Sequence, residues 1–251
     1  MLYELLYPLH DRFAAFNVFR YITFRAAAAI VTALLLSWLL GPWFIRTLRR
    51  MSVGQNIREL GPQAHQVKAG TPTMGGLLIL FAVLVPTLLW ANLRNLYIWL
   101  AMGVTAAFGL VGFLDDYLKI RRKRNLGLTA RAKFLLQLVA AGGLGLVLWM
   151  SPAFDPTLTF PFFKKLVLSL GFLYVPFVVI VLVGASNAVN LTDGLDGLAI
   201  GTTAIAAATY AVFTYVAGNR VIASYLQISY VPGVGEVSVF CAALVGAGLG
   251  F

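Results

Sequence analysis

Residues 95–116 read NLYIWLAMGVTAAFGLVGFLDD: nothing from Asn95 to Leu114 is charged, and Asp115 and Asp116 close the run side by side. A helix needs about 20 predominantly apolar residues to cross the hydrocarbon of a bilayer, and this run reaches that length. So do the runs 26–45, 69–93, 134–154, 166–192 and 197–219, while a seventh, 237–251, stops short of it. The chain is 60% hydrophobic and 11% charged, outside the range of soluble globular domains. Transmembrane barrel strands alternate over about 9–11 residues, and these runs are longer and do not alternate. Backbone groups in lipid must bond within their own segment, which leaves helices. The sequence therefore predicts an all-α polytopic transmembrane bundle, six full spans and a partial seventh, as a single domain over residues 1–251. The chain ends inside an apolar run, so it reads as part of a longer protein.

A net charge of +10 raises nucleic acid as a partner, and the distribution of the charge argues against it. Arg46, Arg49, Arg50, Arg58 and Lys68 follow the first span; Lys119, Arg121, Arg122, Lys123, Arg124, Arg131 and Lys133 follow the third. The alternate connections carry few basic residues. Rich and poor loops in alternation are the positive-inside pattern, which puts the basic loops in the cytoplasm and the amino terminus outside. Arg12, Arg20 and Arg25 run against it. No cleavable signal is evident, because the charges follow the first apolar run rather than precede it. Cys241, the sole cysteine, reads as a small core residue.

Connections on the outer side look plain. Pro152, Pro156 and Pro161 argue against a continuous helix over 151–171, and Pro232, Gly233 and Gly235 mark 225–235 as loop. Asp155 and Glu236 are expected to be solitary there. The other side is different: counting spans brings the loop after span one, the loop after span three and the turn after span five together.

Asp115 and Asp116 end span three, where a helix carboxyl terminus disfavours acids and neighbouring carboxylates repel. Nearby lysines offset this in a purely structural role; a divalent cation offsets it better. Adjacent residues point about 100° apart on a helix, so the two acids are expected to differ in role. After span five comes Asn187-Ala-Val-Asn190-Leu-Thr-Asp193-Gly194-Leu195-Asp196-Gly197. Gly194 and Gly197 favour a turn. Asp193 or Asp196 as a helix cap explains one acid and leaves the rest. Oxygen ligands among glycines suit magnesium with phosphate. Lys68-Ala-Gly-Thr71-Pro72-Thr73-Met-Gly-Gly opens span two. Thr71 reads there as an N-cap with Pro72 at the first helical position, either as a well-made helix start or as a phosphate site. Lys119 and Lys133, nearest the helix ends, are placed to reach a diphosphate. His10 and His65 are isolated and take no role.

These segments resemble the polyprenyl-phosphate N-acetylhexosamine-1-phosphate transferase family. The matching text is Thr23-Phe24-Arg25, Gly70 to Gly76, Phe113 to Tyr117, Ala130 to Lys133 and Asn187 to Ala199, NAVNLTDGLDGLA. The Pro-Thr-Met-Gly-Gly form is similar to the branch that handles N-acetylmuramoyl-pentapeptide rather than N-acetylglucosamine. The resemblance implies ten transmembrane helices, a magnesium-dependent active site on the cytoplasmic face of the bacterial inner membrane, and a homodimer. It implies UDP-N-acetylmuramoyl-pentapeptide and undecaprenyl phosphate as substrates, and lipid I and UMP as products. Carried over by motif, Asp115, Asp116, Asp193 and Lys133 are catalytic. Lys68, Thr73, Lys119, Asn190, Gly194, Leu195 and Asp196 bind substrate, and Asp116 and Asp193 hold magnesium. The family's later Met-Gly-Asp motif and histidine-rich loop would fall beyond Phe251, so the chain as given is expected to be inactive and the full-length parent active.

The reaction implied is attack by the lipid phosphate on the β-phosphorus of the UDP-sugar; a two-step route through an aspartyl-phosphate is the alternative. Rival readings are an N-acetylglucosamine-1-phosphate transferase, an ion-coupled transporter and a cell-wall scaffold. Transporter sites lie near the bilayer midplane, whereas these acids lie at span ends.

Overall fold

The computed structural model describes residues 1–50, 74–122, 127–160, 163–193, 195 and 197–251, apart from the side chains of residues 49, 164 and 165. The elements in order are α1 (Leu2–Leu6), α2 (Ile22–Arg50), α3 (Gly76–Trp90), α4 (Leu96–Arg122), α5 (Ala130–Met150), the strands β1 (Thr157–Phe160) and β2 (Phe163–Ser169), α6 (Tyr174–Thr192), α7 (Leu198–Ala217), α8 (Arg220–Leu226) and α9 (Val237–Gly250). Among the described residues, five stretches are long and apolar enough to cross a membrane: Ile22–Leu48, Leu96–Arg122, Ala130–Met150, Gly171–Thr192 and Leu198–Ala217. The helices Gly76–Trp90 and Val234–Gly250 are apolar but shorter. The all-α polytopic reading holds.

On the outer side, the two longer connections differ from the hydropathy reading. The run 166–192 opens as strand β2 and becomes α-helical only at Tyr174. Hydropathy measures apolar content and not period; here Leu168 pairs with Leu158 and Val167 with Thr159 across an antiparallel ladder, and Gly171 turns the chain at φ +49. The expected loop from residue 225 starts later, because α8 runs to Leu226, capped by the Asn219 side chain, which accepts from Val221 N–H and Ile222 N–H.

The last helix in the chain lies at the centre of the packing. Helix α9 packs on α2, α7 and α3, and Ala243, Gly246 and Ala247 are buried. A Cβ on Gly246 would overlap the Ile30 backbone, and one on Gly250 would come within 2.7 Å of Leu34 O and Ser37 Cβ. Ala29 and Ala33 of α2 are fully buried on the other side. Lipid is as apolar as leucine, so helices in a membrane associate by close backbone approach at small residues. The bulky apolar side chains of α2, including Trp38, Leu39 and Trp43, are exposed and face outward, where lipid lies.

Successive helices alternate in direction. One end of the bundle gathers the amino termini of α2, α4 and α9 and the carboxyl terminus of α3. There Arg25, 2% exposed, forms a forked pair with Glu236: Nη1 to Oε2 at 2.7 Å and Nη2 to Oε1 at 2.6 Å. Asn92 N–H donates to the same carboxylate at 3.1 Å, Arg25 Nη1 donates to Trp90 O at 3.3 Å, and the Tyr3 ring lies 4.5 Å from the guanidinium carbon. This corrects the expectation that Glu236 is solitary. It also accounts for Arg25: a cation neutralised inside the bundle is not a loop charge and does not oppose the positive-inside pattern. His10 likewise has a local role, donating from Nδ1 to Tyr7 O at 2.7 Å and stacking on the Tyr7 ring.

Candidate active site at the acidic end of the bundle

The opposite end carries the acids. Helix α4 does not stop at Asp116; it continues to Arg122, and Lys119, Arg121 and Arg122 fill its last turn. The expected clash between the acids and the helix carboxyl terminus therefore disappears. The macrodipole acts within the last turn, where cations now sit. Lys119, three and four residues on, returns to both acids: Nζ lies 2.6 Å from Asp115 Oδ2 and 3.1 Å from Asp116 Oδ1. That spacing places all three on one helix face.

The two acids differ in use, as their angular offset implies. Asp115 Oδ1 accepts from Leu128 N–H at 2.7 Å, so both of its oxygens are engaged and it pins the loop that leads into α5. Gly127 passes so close that a Cβ there would overlap the Asp115 carboxylate. Asp116 gives Oδ1 to Lys119, and its Oδ2 takes no hydrogen bond among the described residues. Thr129 caps α5 by accepting from Ala132 N–H at 3.2 Å. This fixes the first turn that carries Lys133, whose charge acts on Asp115. A lysine in a first turn opposes the helix dipole; the acids across the loop offset it.

Helix α5 packs on α6 through a contact that the residue pattern did not single out. Gln137, 3% exposed, accepts from Asn187 Nδ2 at 3.0 Å, and Asn187 Nδ2 also donates to Val183 O at 2.8 Å. Lower down, a Cβ on Gly145 would press on the Val175 backbone at 3.2 Å. Gln137 is four residues after Lys133, on the same face of α5. Asn190 follows Asn187 by three on α6. The signal for Gln137 was its position as an amide inside an otherwise apolar run.

The turn after α6 is divided. Asn187 and Asn190 are helical, Asp193 is the C-cap residue of α6, and Gly197, at φ +80, is the N-cap of α7 with no side-chain cap. Asp193 therefore does not cap the next helix. Asn190, Asp193 and Leu195 are exposed. The described part of α3 begins at Gly76 after Met74 at φ +73; Thr71 and Pro72, expected to cap and open it, lie outside the described residues. Lys68, Thr73, Gly194 and Asp196 lie outside the described residues.

The structure thus joins Asp115, Asp116, Lys119 and Lys133. It carries Asn190 and Asp193 to the same end of the bundle on the neighbouring α6, without a hydrogen bond or ion pair to the first group among the described residues. No group of three acids, histidines or cysteines with metal-holding geometry occurs among the described residues. The donors fit magnesium nonetheless, since that ion is held through one or two carboxylates plus substrate phosphates, and Asp116 and Asp193 each have carboxylate oxygen without a partner among the described residues.

Comparison with known proteins agrees with this chemistry. Residues 98–251 match the family model described as Glycosyl transferase family 4, and residues 68–80 match the phospho-N-acetylmuramoyl-pentapeptide-transferase signature 1. Proteins named phospho-N-acetylmuramoyl-pentapeptide-transferase are 60% identical in Nitratidesulfovibrio vulgaris strain Hildenborough, 58% in Oleidesulfovibrio alaskensis and 54% in Citrifermentans bemidjiense. Each alignment covers 100% of this chain and 70% of the relative. Acids beside lysines at one end of a polytopic bundle, a matching family over more than half the length and a branch signature at the start of α3 place the chain in glycosyl transferase family 4, within its phospho-N-acetylmuramoyl-pentapeptide-transferase branch.

Proposed function

We propose that this chain carries the transfer of phospho-N-acetylmuramoyl-pentapeptide from its UDP conjugate to undecaprenyl phosphate, giving lipid I and UMP, at the acidic end of the bundle. The observation that carries the reading is the unequal use of the two acids among the described residues: Asp115 has both oxygens engaged, by Lys119 and Leu128 N–H, and Asp116 has one oxygen without a partner there.

Both substrates are anionic, so alignment and charge neutralisation supply much of the rate. Lys133 and Lys119 draw the diphosphate to the loop between α4 and α5. Asp116 takes the remaining proton of the lipid phosphate, whose second pKa near 6 makes it easy to remove. The lipid phosphate oxygen then forms a bond to the β-phosphorus, the bond from that phosphorus to the bridging oxygen breaks, and UMP leaves with the electron pair. Asp116 and Asp193 would hold magnesium, which would supply charge neutralisation at the diphosphate and the departing UMP. Asn190 and Leu195 line the approach from α6. Direct attack is favoured over an aspartyl-phosphate on Asp115, because both oxygens of that more enclosed acid are engaged, by Lys119 and by Leu128 N–H.

The basic connections support a cytoplasmic acidic end, with the amino terminus across the bacterial inner membrane; the homodimer rests on the family resemblance alone. Labelled UDP-N-acetylmuramoyl-pentapeptide and undecaprenyl phosphate test the reading, using this chain and a version extended with the carboxyl-terminal part of the N. vulgaris relative, of which the chain spans 70%. Lipid I formation that needs magnesium and is lost in Asp116→Asn is the expected result. Undiminished synthesis in Asp116→Asn overturns the role of Asp116, and a trapped phospho-aspartate overturns direct attack. Competition with UDP-N-acetylglucosamine distinguishes the related transferase.

A further inference from the structure

The β1–β2 hairpin has an apolar surface that nothing in the bundle uses. It joins the end of α5 to the start of α6, at the end opposite Asp115. Its close packing is strand on strand, with no helix packed closely against it among the described residues. An isolated two-stranded hairpin is marginally stable at best in water and needs a surface to pack on. Its faces are unequal. Leu158 pairs with Leu168 on one face, while the flanking pairs Thr157–Ser169 and Thr159–Val167 project to the other. Beyond a register irregularity, Phe160 pairs with Phe163, and Phe163 is 65% exposed.

The apolar surface is continuous with the part of the bundle that faces lipid. Met150 ends α5 and Leu173 precedes α6, both strongly exposed. Beside them, Trp149 meets Phe172 edge-on at 5.4 Å and Phe154 meets Tyr174 at 5.2 Å. Aromatic side chains collect where hydrocarbon gives way to headgroups. The hairpin leaves and re-enters the bundle at that level.

We propose that the β1–β2 hairpin is an interfacial membrane anchor, its Leu158–Leu168 face and Phe160–Phe163 end seated in the headgroup–acyl boundary of the leaflet opposite the acidic end. The occupant is bulk phospholipid. The anchor limits tilting of α5 against α6, the two helices whose far ends carry Lys133 and Asp193. It stands independently of the reaction proposed above.

The test uses the whole chain in vesicles of phosphatidylcholine and phosphatidylglycerol. In a Cys241→Ala background, nitroxide labels are placed at Phe163→Cys, Leu168→Cys and Thr159→Cys, all exposed positions. Collision with oxygen is compared with collision with a water-soluble nickel chelate. Oxygen should dominate several-fold at 163 and 168, and the chelate should gain at 159. Chelate-dominated collisions at 163 and 168 put the hairpin in water and overturn the proposal. Exclusion of both reagents puts it against protein and overturns it equally. As a second measurement on the unsubstituted chain, a phospholipid with a photoreactive acyl chain should crosslink within residues 157–169; crosslinks confined to the helices overturn the anchor.

Discussion

The two ends of the bundle each hold an ion pair between a basic residue and an acid, and they put it to opposite uses. At one end Arg25 and Glu236 match one for one, fork to fork, with a backbone N–H taking up remaining carboxylate capacity. Both carboxylate oxygens are used, the pair is buried, and α2 is tied to α9. At the other end two acids share one lysine, their side chains are 17–38% exposed, and an Asp116 oxygen has no partner among the described residues. A one-for-one pair in a buried pocket resists change. An unsaturated, partly wetted cluster is ready to accept a cation or a proton. Similar side chains become a clasp or a reaction site according to stoichiometry and access.

Substitutions that break or sharpen this contrast range from large to small effects. Asp116→Asn keeps the shape and removes the base, and general-base catalysis is worth roughly 10²–10⁴-fold. Lipid I synthesis should fall by about that factor with folding unchanged; near-normal rates would make the acidic end structural too. Glu236→Ala leaves the buried guanidinium unpaired, a loss of about 3–5 kcal/mol, read as a lower midpoint of thermal unfolding in detergent. Replacing both partners, as Arg25→Met with Glu236→Leu, should recover most of that loss, since well-packed apolar pairs substitute for buried ion pairs. If the double variant is as unstable as the single one, the contact with Tyr3 and Trp90 outweighs the pair.

Gly127→Ala forces a Cβ onto the Asp115 carboxylate, an overpacking cost of about 1–3 kcal/mol. Its activity should drop less than that of Asp116→Asn, because the loop shifts while the base remains; an unchanged rate would show that the Leu128–Asp115 bond does not position the site. Gln137→Leu removes the α5–α6 hydrogen bond inside the membrane, where such bonds average about 0.6 kcal/mol and reach about 1.7. A small stability loss with a several-fold lower kcat and an unchanged KM is expected; a loss beyond that range would mark Gln137 as a main support of the bundle.

Much of this was legible before any coordinates. Span-length uncharged runs announced α2, α4, α5, α6 and α7, because exclusion of water from lipid leaves a helix no other way to satisfy its backbone. The cluster of Asp115, Asp116 and Lys119 was legible because i, i+3 and i, i+4 spacing is enough to place side chains together on a helix. Hydropathy failed where apolar content and period part company. Residues 166–169 are as apolar as a span but form a ladder with Leu158 and Thr159. Helix length failed at Asp116, because hydropathy ends where charge begins whereas the helix runs on to Arg122. Glu236 looked solitary because its partner lies at residue 25, and no local pattern joins positions so far apart.

Sequence by itself determined the class of the protein, its alternation across a bilayer and the chemical character of each end. Those follow from local quantities: charge, apolar run length and helical spacing. Tertiary structure alone decided that α9, last in the chain, is central, that Arg25 is a clasp, and that Gln137 meets Asn187. It also decided which of two neighbouring aspartates keeps an oxygen free. Each depends on which surfaces approach closely enough to exclude lipid and water, and that is settled by packing between segments distant in sequence.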